Sequence, residues 1–144
     1  NFRNKHDLPK EYRVMSWEEI NLLSDLGVNF GSHTHNHINF KSEENATIKK
    51  DILKSKVIIS EKIGKEVVDF AYPNGEFTPS SEKLLNECAF KTSVVVDYSH
   101  LSSNFNPYKI SRIPISSIDD RYRFFIKLYG FWPPFIYKKL VTNI

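Results

Sequence analysis

GSHTHNHINF, residues 31 to 40, sets three of the chain's five histidines at alternate positions: His33, His35 and His37. A neutral imidazole offers a lone pair to divalent metals, and a catalytic zinc usually takes three protein ligands while keeping one position open. Residues two apart share a face on an extended strand, which would pair His33 with His35. Residues four apart meet on a turning chain, which would pair His33 with His37. Spacing alone leaves both pairings open. Solvent-facing loop histidines are the plain alternative, but three in so short a run, beside Gly31 and Ser32, favour a metal site.

The flanks place this run in a fold. Ser16-Trp17-Glu18-Glu19 reads as a capping box opening a helix over 17–26, with Ile20, Leu23 and Leu26 on one side and Gly27 at its end. Val28 and Phe30 begin a short strand that runs into the histidines. From Ser42 to Lys62 the apolar residues Ile48, Ile52, Val57, Ile59 and Ile63 recur at near-helical spacing, with Gly64 just beyond. Val67, Val68, Phe70 and Tyr72 give a second strand that stops at the turn Pro73-Asn74-Gly75. Thr78-Pro79 opens a third helix through Leu84 and Leu85 toward Cys88, with Thr78 as cap. Strands follow over 92–96 and 110–115. This alternation predicts an α/β fold with parallel strands and outer helices, whose ligands gather at the carboxyl ends of the strands.

Composition narrows the partners. At 144 residues the chain is one domain in size and short for a complete α/β barrel. Apolar residues make up 40% and charged residues 26%, so a packed core is expected and disorder is not. The net charge of +3 is spread along the chain, which leaves no nucleic-acid footprint. Cys88 is alone, so no internal disulfide forms and the compartment stays open. No apolar run approaches the roughly 20 residues that span a bilayer. The opening NFRNKHDLPKEYRV has no initiator Met and no signal-peptide character, and reads as a chain cut from something longer.

Two histidine patterns fit poorly. The metallo-β-lactamase pattern H-x-H-x-D-H fails, because His37 stands at its Asp and Ile38 at its last His, and the amidohydrolase H-x-H pair survives only weakly. GSHTHNH instead resembles the H-[ST]-x-x-H metal motif of the polysaccharide deacetylase family (NodB-like, carbohydrate esterase family four). FAYPNG, residues 70 to 75, resembles that family's next motif in the branch that carries F-A-Y-P-x-G. About one helix and one strand separate the two, as in the family's barrel. SWEEINLLSDLGVNFGSH resembles its lead-in, and KISRIPI a late strand of that branch.

The resemblance implies a partial (β/α) barrel of the polysaccharide deacetylase type. It implies a divalent metal, zinc by preference, on His33 and His37, with His35 pointing elsewhere and Thr34 hydrogen-bonded within the loop. Tyr72, Pro73 and Asn74 would line a substrate groove, with a backbone N–H at the Tyr position helping to hold an oxyanion. The implied activity is metal-dependent removal of N-acetyl groups, and by extension O-acetyl groups, from a polysaccharide, in an extracytoplasmic or cell-envelope setting.

The family's opening T-F-D-D-G motif, which supplies an Asp ligand and an Asp base, is absent, so the base is expected upstream of Asn1. The pair Asp119-Asp120 could mimic that motif, but SSIDDRYRFF reads better as a helix start with acids at its positive end. The family's base-tuning arginine is replaced by Ala71; Asp97-Tyr98, Arg112 and His100 are weak stand-ins for its remaining catalytic groups. The aromatic and basic tail over 131–144 reads as packing on the barrel rather than as a membrane contact. The competing hypothesis is a metal- or glycan-binding module that keeps the groove and has no catalysis.

Overall fold

The computed structural model describes residues 13–96 and 105–129. Helix α1 (Trp17–Asp25) starts on the expected capping box, in which the Ser16 side chain accepts from the Glu19 amide while the Glu19 carboxylate accepts from the Ser16 amide. Helix α2 (Asn45–Ile63) follows and ends at Gly64, whose φ of 65° is the left-handed cap that a side chain would disfavour. Strand β1 (Asp69–Ala71), helix α3 (Ser81–Glu87), strands β2 (Thr92–Val95) and β3 (Ile110–Ser111), and helix α4 (Arg121–Leu128) complete the order.

The three strands form one parallel sheet in the order β1-β2-β3. Asp69, Phe70 and Ala71 stand opposite Thr92, Ser93 and Val94, and Val94 and Val95 stand opposite Ile110 and Ser111. Parallel strands β1 and β2 joined through α3, with β3 beside β2, make the wall of a (β/α) barrel, as the alternation predicted. Phe70, Ser93 and Val95 are buried on the face turned toward α2 and α3. There they join Phe40, Ile48, Ile52, Val67, Tyr72, Leu84, Leu85, Cys88 and Phe90 in one core. Ile48 and Ile52 are wholly buried, each worth about 1.5–3 kcal/mol relative to exposure.

Several sequence expectations shift. The strand expected at Val28 and Phe30 is a single parallel bridge, Ser32 to Phe70. Its ladder amounts to Ser32 N–H donating to Asp69 O and Ala71 N–H donating to Ser32 O, while Val28 lies 45% exposed, with too little burial to sustain a strand. The other strands are shorter than expected: β1 lacks Val67 and Val68 at its amino end and Tyr72 at its carboxyl end, β2 stops at Val95, and β3 stops at Ser111. Leu26 and Val57 fall off the buried stripes: in α2 that stripe runs through Ile48, Ile52, Ser55, Ile59 and Ile63, and Val57 projects to the other side. Thr78 does not cap α3. Its N–H donates to Ser81 Oγ and its carbonyl accepts from Ser81 N–H, making a separate turn before the helix.

Asp120 is the N-cap of α4, with its carboxylate accepting from the Arg123 amide. Asp119 accepts from buried Lys127 at 2.7 Å, and this contact with the Ser116 amide holds its carboxyl below the usual range. The acid pair is thus a helix start, as its sequence suggested. No helix among the described residues is long and apolar enough to cross a membrane. The tail over 131–144, Asp97-Tyr98 and His100 lie outside the described residues.

Candidate metal centre

The histidine run leaves the sheet just past Ser32, beside the carboxyl end of β1. His33 Nδ1 lies 2.7 Å from the Ala71 carbonyl. A carbonyl only accepts, so Nδ1 carries the proton, and in the neutral ring Nε2 keeps a free lone pair. A backbone or carboxylate partner on the remote nitrogen is the usual way a ligating histidine is held in one tautomer.

His37 comes back toward His33 because the loop reverses through two left-handed residues, Thr34 at φ 66° and His37 at φ 53°. The rings stand 4.9 Å apart between centroids, at 72° to each other. Two imidazoles sharing one tetrahedral zinc have centroids about 5 Å apart, so the donor set and its spacing fit a divalent ion. Of the two pairings that spacing left open, the backbone brings His33 and His37 together. His35 is exposed and enters the local network through its backbone. No group of three or more His, Cys, Asp or Glu side chains with metal-binding geometry occurs among the described residues.

The loop is anchored by a residue that sequence reasoning missed. Asp51 of α2 accepts from the His35 amide at 2.7 Å and the Asn36 amide at 3.1 Å through Oδ1, and from Asn36 Nδ2 at 2.5 Å through Oδ2. Burial pushes its carboxyl up, but these donors outweigh burial and leave it below the ordinary value. The signal was present in the helix period: an acid at 51 falls on the same stripe as Ile48, Ile52 and Ser55. Thr34, by contrast, does not hold the turn, since its Oγ1 is buried with no hydrogen-bond partner among the described residues.

The second loop is built differently. Tyr72 is fully buried, its ring packed edge-on against Phe40 and Phe70, and burial pushes its phenol up to about 12. Its N–H donates to the Val94 carbonyl, so both ring and amide are committed to the core rather than to a groove. Pro73 is buried as well, which leaves Asn74, exposed at φ 56°, as the member of the expected trio that faces outward. Gly75 follows at φ 69°, where an added Cβ would lie 2.6 Å from the Val96 nitrogen. Arg112 lies across the sheet, where its backbone N–H and Nε–H both donate to the Val95 carbonyl. On the sheet face away from the helices a cavity of about 420 Å³ opens beside His33, lined also by Asp69, Ala71, Thr92 and Val94.

Sequence comparison assigns the chain to a family. The family model for polysaccharide deacetylase matches residues 3–93. The chain belongs to the polysaccharide deacetylase family. No curated protein matches the sequence. Among solved structures, the Streptococcus pyogenes deacetylase PplD, determined in complex with acetate, is similar at 16% identity and a TM-score of 0.73, over 86% of this chain and 54% of that one. A polysaccharide deacetylase from Bacillus cereus is similar at 18% identity and a TM-score of 0.71, over 83% of this chain and 38% of that one. The deacetylase domain of BpsB from Bordetella bronchiseptica follows at 15% identity and a TM-score of 0.63, over 73% and 50%. At these identities the likeness is one of fold, and the chain spans about half or less of each structure.

Proposed function

We propose that the chain carries the two-histidine part of the metal site of a hydrolase that removes N-acetyl groups from a polysaccharide. The observation that carries this reading is the convergence of His33 and His37, with His33 Nε2 left free by the bond from its Nδ1 to Ala71. Membership of the polysaccharide deacetylase family supports it. So does the acetate, the product of deacetylation, in the structure of the similar PplD.

In this reading His33 and His37 hold a divalent ion, zinc by the preference of imidazole donors. When bound, such an ion polarises an acetyl carbonyl and acidifies a water molecule. The Ala71 carbonyl keeps His33 in its ligating tautomer. Asn74 offers its exposed amide to sugar hydroxyls at the rim, on a turn made rigid by Tyr72 and Pro73 beneath it. Deprotonation of the attacking water needs a carboxylate, which this reading draws from outside the described residues. Removal of O-acetyl groups would use the same site, since the bond attacked is again an acyl carbonyl.

One observation favours a second reading. Two imidazoles without a third ligand among the described residues suit a metal- or glycan-binding module that performs no hydrolysis. Acetate release from an N-acetylated glucosamine oligomer separates the two. The hydrolase reading expects zinc-dependent release that falls to background in His33→Ala and in His37→Ala. Oligomer binding with no acetate release, both from this chain and from the chain extended upstream to include the expected carboxylate, would favour the module.

A further inference from the structure

We propose that Asp51 is a positioning residue for the histidine pair, holding the loop over 33–37 in the form that presents both rings to one ion. The proposal rests on the metal reading above and extends it to a residue that touches neither ring.

The loop's own preferences oppose its shape. Thr34 and His37 both lie at positive φ, which L residues with a Cβ disfavour, and Thr34 Oγ1 is buried without a partner among the described residues. Such a conformation persists only where its surroundings over-determine it. Upstream, Ser32 is tied to β1 by its two ladder bonds and to α2 by Ser32 Oγ–H donating to Ser55 Oγ, and His33 is tied to Ala71. Between the two left-handed residues the restraints are the bonds to Asp51, which gather the His35 amide, the Asn36 amide and the Asn36 side chain onto one carboxylate.

Asp51 is itself well fixed. It is 7% exposed on the stripe of α2 that holds Ile48 and Ile52, both wholly buried. A carboxylate in that setting is stable only when its oxygens are occupied by donors, and the loop provides them. Helix and loop therefore fix each other. Without the carboxylate the middle of the loop loses its restraints and the ring of His37 leaves the position opposite His33.

The test uses the full chain with Asp51→Ala, Asp51→Asn and His33→Ala. Zinc affinity is read by competition with a chromophoric chelator, and amide hydrogen exchange is followed residue by residue without metal. In Asp51→Ala the zinc Kd should rise about 10–100-fold, the range found when a group supporting a metal ligand is removed. The His35 and Asn36 amides should exchange at least about tenfold faster while those of Ile48 and Ile52 keep their protection, because only local opening is affected. Asp51→Asn retains one acceptor oxygen and should fall between; it is also the variant read if Asp51→Ala does not fold. Unchanged exchange at His35 and Asn36 in a folded variant overturns the positioning role, whatever the metal does. Faster exchange with an unchanged zinc Kd overturns it as well. Zinc retained at full affinity in His33→Ala would instead sink the metal reading, an outcome the exchange data do not share.

Discussion

Two loops leave the carboxyl edge of the sheet, and they are made rigid by opposite means. The loop over 33–37 turns its histidines outward and is held from behind by hydrogen bonds to a helix carboxylate. The turn Pro73–Gly75 hangs from Tyr72 and Pro73, both inside the core, and exposes Asn74. Both reverse the chain through left-handed residues, Thr34 and His37 in the first and Asn74 followed by Gly75 in the second. The difference teaches how a fold frees side chains for chemistry: a loop whose rings must face solvent cannot be anchored by burying them, so its rigidity comes from polar contacts, those to Asp51 and the bond from His33 Nδ1 to Ala71. A loop with one exposed side chain can be anchored by burying its neighbours.

The contrast breaks most visibly at Tyr72. Tyr72→Ala should cost about 3–5 kcal/mol in chemical denaturation, as expected for a large aromatic removed from a packed core. Tyr72→Phe, which loses the hydroxyl's bonds to the Tyr108 carbonyl and to Ser93, should cost about 1 kcal/mol. Gly75→Ala comes next at about 2–4 kcal/mol, combining a left-handed residue with overlap against Val96. A loss under about 0.5 kcal/mol in either alanine variant would show that the turn is not held by burial.

The histidine loop should respond the other way. His37→Asn keeps a residue tolerant of left-handed φ, so metal-free stability should stay within about 0.5 kcal/mol of the unaltered protein, while zinc affinity falls. Equal loss of stability and zinc affinity would mean that the ring is structural. The smallest effect is silent at neutral pH. Asp51 has a folded pKa below its ordinary 3.8, so its contribution is present above that value and is lost as pH falls through the folded value. Amide exchange measured below about pH 4 should therefore accelerate at His35 and Asn36 relative to Gly75. Parallel acceleration at all three would erase the distinction between polar and apolar anchoring.

Much of this was legible in the sequence because local rules and tertiary contacts agreed. The capping box at Ser16 and Glu19, the left-handed stop at Gly64 and the parallel wall all follow from short-range patterns that burial then reinforced. The approach of His33 to His37 was implied by family resemblance, whereas spacing alone left His35 as an equal partner. What was hidden depended on the third dimension. Val28 and Phe30 alternate like a strand, yet the chain pairs only at Ser32. Tyr72 looks from its motif like a groove residue, but strand alternation turns its ring into the core beside Phe70 and Phe40. Asp51 looks like one more charge in a Lys-rich helix until the period places it among buried isoleucines. An acid on an apolar stripe is the sequence signal of such an anchor.

The central claim is that His33 and His37 share one cation, with His33 coordinating through Nε2. Imidazole ¹⁵N shifts followed through a zinc titration of the full chain test it directly. Nε2 of His33 and one ring nitrogen of His37 should move together, saturating at the same zinc concentration, while His33 Nδ1 stays protonated and His35 stays still. Zinc-induced shifts at His35 in step with His33, or saturation of His33 and His37 at separate concentrations, would contradict it.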